Sequence, residues 1–81
     1  MNGEVFTKVN IGDLLGHATK LGHTWNAAHE LFEKDKVLPT YGHYELWLSE
    51  VEGNDYGWSN ETQKIVEDFF KTNAIEKCII L

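Results

Sequence analysis

The apolar positions of this chain change their period along its length. From Glu4 to Val9 they alternate, with Val5, Thr7 and Val9 on one side and Phe6 and Lys8 on the other, and that period of two predicts a short strand. From Ile11 the spacing becomes helical. Ile11, Leu14, Leu15, Ala18 and Leu21 form one stripe, Asn10 supplies an N-cap, Asp13 sits near the positive end of the dipole, and Gly22 marks the C′ stop. Gly12 and Gly16 weaken this helix by up to about 1 kcal/mol each relative to alanine. A second helix is predicted over Trp25–Lys36, capped by Thr24 and buried through Trp25, Ala28, Leu31 and Phe32. Glu30 and Lys34 pair at i,i+4, Lys34 and Lys36 meet the negative end of the dipole, and Pro39 turns Leu38 away from helix.

A third helix is predicted over Tyr41–Glu52 behind a Thr40 cap, because Tyr41, Tyr44, Leu48 and Val51 fall at i, i+3, i+7 and i+10 with Trp47 beside them. Gly53-Asn54-Asp55 is a turn signal, and Gly57 extends the loop. Ser59 caps a fourth helix over Asn60–Thr72, whose inward positions are Thr62, Ile65, Val66, Phe69 and Phe70. Trp58 stands where it staples onto the first turns. Asn73 closes that helix, and the β-prone run Ile75–Leu81 reads as a terminal strand. The pattern predicts a mostly α (α+β) fold, a compact four-helix domain with short N- and C-terminal β-strands. An isolated strand leaves backbone groups unsatisfied, so the end strands are expected to pair with each other, or one of them across a homodimer.

Length adds that residues 1–81 form a single small globular domain. A chain this short buries only about 60–65% of the surface its unfolded form exposes, so its core is thin. One cysteine excludes an internal disulfide and suits a reducing compartment. The polar start, Met1 to Lys8, is unlike a secretory signal, and no apolar run reaches the ~18 residues of a membrane span. The expected location is the cytoplasm, a host's included. The usage of Lys, Asn and Ile matches AT-rich genomes such as those of many phages.

Charge changes the picture most. The formal net charge is −6, and all of it can be placed in Glu45–Asp68. That window holds Glu45, Glu50, Glu52, Asp55, Glu61, Glu67 and Asp68 against the single Lys64, while the acids and lysines of the flanks cancel. Trp47, Tyr56 and Trp58 lie in the same window. Arginine is absent, which removes the residue best suited to bidentate capture of phosphate or guanine.

Motifs for chemistry are weak. His17, His23 and His29 fall at six-residue steps that advance a helix by about 240° each, so they share no face, and His43 stands apart. No His-x3-His or Cys-x2-Cys pair is present, so no metal is expected. A Cys–His pair, or a triad through Ser49 or Ser59, has no motif that supplies base, orienting group and oxyanion hole. No cofactor and no enzymatic activity are expected. The first two helices, joined by Gly22-His23-Thr24, have the outline of a helix-turn-helix, which gives a DNA-binding module as one alternative. Outward Glu30 and Glu33 oppose that reading. Cys78-Ile79-Ile80-Leu81 matches a prenylation box, which gives a lipid-anchored signalling protein as another. Only Lys71 and Lys77 lie nearby as the second signal such anchoring needs.

The sequence therefore points to a small acidic protein-binding accessory or inhibitor protein of phage type. It would engage a basic surface of a target protein, with carboxylates in the place of nucleic-acid phosphates. The expected partner-binding residues are Glu45, Glu50, Glu52, Asp55, Tyr56, Trp58, Glu61 and Asp68, the two rings acting as hot spots where they are exposed. Neither nucleic acid nor a membrane is the expected partner.

Overall fold

The computed structural model describes residues 6–37 and 44–81. The elements run β1 (Thr7–Val9), α1 (Ile11–Lys20), α2 (Trp25–Lys34), β2 (Tyr44–Trp47), α3 (Leu48–Glu52), α4 (Asn60–Thr72) and β3 (Lys77–Ile80). The fold is mostly α with a small sheet, as the pattern predicts. The sheet order is β1-β3-β2, with β3 parallel to β1 and antiparallel to β2. The two end strands do pair, and the last strand occupies the centre.

The third predicted helix needs correction. Tyr44–Trp47 form a strand, and only Leu48–Glu52 remain helical. The predicted cap Thr40, Tyr41 and the Leu38–Pro39 stop lie outside the described residues, as do Glu4 and Val5. The local i, i+3, i+7 pattern yields to a long-range partner. Tyr44, Glu45, Leu46 and Trp47 stand opposite Ile80, Ile79, Cys78 and Lys77, and the Leu48 N–H carries the ladder on to the Glu76 carbonyl at 2.7 Å.

Alternation gives the sheet two different faces. Val9, Leu46, Cys78 and Ile80 are buried against the helices. Lys8 and Glu45 are exposed on the other face, with Trp47, Lys77 and Ile79 half-buried. The core continues through Leu14, Leu15 and Ala18 of α1, Ala28 and Phe32 of α2, and Ile65, Val66, Phe69 and Phe70 of α4. Trp25, predicted to lie in the buried stripe, is 50% exposed at the first position of α2, and Leu21 is 45% exposed at the end of α1.

Helix ends follow capping physics. The Thr24 hydroxyl accepts the Ala27 N–H at 3.1 Å, and the Asn10 N–H donates to the Asp13 carboxylate at 3.4 Å. Ser59 holds the N-cap position of α4 but does not cap it with its own side chain. Asp35, at the end of α2, reaches across instead. Its Oδ2 accepts from the Ser59 N–H at 3.2 Å, the Ser59 hydroxyl at 2.8 Å and the buried Thr62 hydroxyl at 2.6 Å.

Candidate partner-binding surface

The acidic window folds into β2 and a hairpin of α3, turn and α4. The turn is closed by Asn54, which adopts a left-handed φ of 52° and bonds Trp58 twice. Its amide donates to the Trp58 carbonyl at 2.9 Å and accepts the Trp58 N–H at 3.0 Å. That clamp stacks Tyr56 on Trp58, with ring centroids 4.6 Å apart, and sets it edge-to-face against Tyr44 at 6.1 Å. The Tyr56 hydroxyl accepts the Trp47 N–H at 3.2 Å. Burial raises both tyrosine pKa values, and the nearby Glu50 carboxylate raises them further; for Tyr56 the Trp47 N–H works in the opposite direction. Glu50 therefore sits beside both rings, and Asp55 follows one loop later, its N–H on the Glu50 carbonyl at 2.9 Å.

Along α4 the charges are arranged differently. Lys71 lies 2.8 Å from Glu67 and 3.4 Å from Glu52, which ties α3 to α4. The hydrogen bonds from Lys71 and then Gln63 hold the Glu67 carboxyl below its usual range, and the Glu67 and Glu52 carboxylates raise Lys71. Gln63 also donates to the Val51 carbonyl at 3.0 Å. On the other flank His17 Nε2 lies 2.7 Å from Asp68 Oδ2, with its ring edge-to-face on Phe69 at 5.5 Å.

The structure thus sorts the predicted residues. Glu50, Asp55 and the half-buried Tyr56 gather at the turn, and Glu52, Glu61 and Asp68 line the two flanks of α4. Glu50, Asp55 and Glu61 make no ion pair with any described residue. Glu45 departs from the group, on the outer face of the sheet in one row with Lys8 and Ile79. Trp58 is 4% exposed and belongs to the core, so it supports the turn from below and offers a partner almost no surface. Sequence reasoning missed a groove of about 490 Å³ beside α4, whose lining includes Leu21, His23, Glu61, Lys64, Ile65 and Asp68. Leu21 continues the apolar stripe of α1, and no local signal says that the stripe's last member stays open.

No family model, no curated protein and no solved structure matches this chain.

The other readings meet particular features. Cys78 is buried in the central strand, and burial pushes its thiol up to about 12, so a lipid there would displace core. The face of α2 exposes Asn26, Glu30 and Glu33 beside Trp25, which puts carboxylates where a groove-reading helix needs cations. Among the described residues no His, Cys, Asp or Glu cluster is placed to hold a metal, and no helix is long and apolar enough to cross a membrane.

Proposed function

We propose that this protein is a binding domain, not an enzyme, and that the acidic surface of its α3–turn–α4 hairpin engages a basic surface of another protein in the manner of a small accessory or inhibitor. The observation that carries this reading is the set Glu50, Asp55 and Glu61, which stand on successive parts of one hairpin with no cation paired to them among the described residues. Nearby Lys71 is occupied by Glu52 and Glu67, so it does little to offset the field of those three. Carboxylates held on a rigid hairpin attract Lys- and Arg-rich surfaces and speed association, and they compete with phosphate for the same groove. The half-buried Tyr56 adds a ring already ordered by Trp58 and Trp47, so it loses little freedom on contact. The free cysteine suits action in a reducing cytoplasm.

The test is retention from native extract on the immobilised full chain, at low and high salt, beside the double variant Glu50→Lys/Asp55→Lys. Proteins bound by the acidic surface elute with salt and are lost from the variant, which retains the native far-UV spectrum. The same proteins held equally by both chains would remove the proposal.

A further inference from the structure

We infer that the groove between the α1–α2 elbow and α4 is the seat for a short basic segment of the partner, entered by one large aliphatic or aromatic side chain. This rests on the binding reading above and names where, and by what chemistry, the partner is held.

The groove has an apolar floor and a charged rim. Ile65 lines that floor but is almost fully covered at 1% exposure, and Leu21, 45% exposed at the end of α1, is its open apolar surface. A large aliphatic side chain left that open beside a groove of about 490 Å³ has room for a partner side chain against it. Polar groups decide which partner. Glu61 has no ion pair among the described residues. Asp68 is half exposed and spends only Oδ2, on His17 at 2.7 Å and Thr72 at 3.5 Å. Of the rim cations, Lys71 is turned to Glu67 and Glu52, which leaves Lys64 as the counterweight. The rim is therefore acidic on balance over an apolar floor.

Lysine and arginine match that combination, because their methylene stems lie on apolar surface while their heads reach outward to carboxylates. Glu61 and Asp68 are seven positions apart on α4, about 10 Å along the axis, so two cations about two turns apart on a partner helix meet both acids while the apolar residue between them enters beside Leu21. His17 lines a neighbouring cavity and Asp68 lines this one, so their hydrogen bond links the walls of the two.

The test titrates a synthetic amphipathic peptide of leucine and lysine into the ¹⁵N-labelled full chain. A peptide with glutamate for lysine and one with serine for leucine serve as controls. Amide shifts centred on Leu21, His23, Ile65 and Asp68 are expected for the first peptide alone. Affinity is expected to fall about tenfold in Leu21→Ser, the cost of losing one apolar contact of that size. Leu21 is exposed, and the unperturbed amides elsewhere report that the variant is folded. Saturable binding that centres on Glu50 and Asp55 and ignores Leu21→Ser overturns the groove and leaves the acidic-surface reading standing. Equal binding of the glutamate peptide overturns the charge match, and no saturable binding overturns the groove outright.

Discussion

Asp35 ends α2 and closes the first turn of α4, so one side chain ties the end of one helix to the start of another. Burial raises its pKa, but the Thr62 and Ser59 hydroxyls, the Ser59 N–H and the nearby Lys34 charge outweigh burial and leave the carboxyl below its ordinary value. A carboxyl whose folded pKa is depressed contributes stability that is complete above its unfolded pKa of about 3.9 and is lost as pH falls through the folded value. Asp35→Asn keeps the shape and an acceptor oxygen but removes the charge that strengthens three hydrogen bonds. It is expected to lower stability by about 1–2 kcal/mol at neutral pH. It is also expected to flatten the loss of stability expected of the native chain below about pH 4. Urea unfolding of both chains at several pH values measures this. Parallel curves down to the acid limit would show that Asp35 is not the titrating link.

At the scale of the element, three helices stop by one device. The C″ N–H returns to the C3 carbonyl: His23 to Ala18 at 3.1 Å, Val37 to Phe32 at 2.8 Å and Ile75 to Phe70 at 2.8 Å. The residue between must be left-handed, and only α1 places glycine there, Gly22 at φ 102°. α2 and α4 place Lys36 at φ 61° and Ala74 at φ 53°, where a Cβ costs about 1 kcal/mol. Ala74 is exposed, so Ala74→Gly sacrifices no packing and is expected to stabilise the chain by up to about 1 kcal/mol, while Gly22→Ala destabilises it by a similar amount. Thermal midpoints moving in opposite directions check the pair; a fall in both would mean that Ala74 is not strained. These caps also show what the sequence carries. Gly22, Thr24 and Ser59 announce their helix boundaries, and the apolar steps of α1, α2 and α4 announce the helices between. β2 was not legible, because Tyr44-Glu45-Leu46-Trp47 fits a helical stripe as well as a strand until β3, about thirty residues on, is known to lie beside it. The groove beside α4 is hidden for the same reason: Leu21 and Ile65 come to line one groove only in the folded chain.

At the scale of the whole molecule, the first and last described strands lie side by side. β3 is the last of the described strands in sequence, yet it is the middle strand of the sheet, bonded to β1 on one side and β2 on the other. Without it both neighbours lose every strand partner that the described sheet gives them, and the helices lose the floor supplied by Cys78 and Ile80, each 1% exposed. Removing two such side chains from a core forfeits about 3–5 kcal/mol, and a domain of this size has only about 5 kcal/mol in reserve. The pairing of β1 with β3 also joins residues near opposite ends of the chain, and closing so long a loop is the slow part of folding in such topologies. A chain ending at Glu76 is therefore expected to be globally unfolded at 25 °C, with collapsed amide dispersion and no cooperative urea transition, and not merely frayed at its end. Adding a peptide of residues 77–81 in excess is expected to restore at most a small folded fraction, since it replaces a covalent strand with one that must be captured from solution. A truncated chain that kept native dispersion in α1, α2 and α4 would show that the helices form a core of their own, and that the sheet is an attachment to it and not its base.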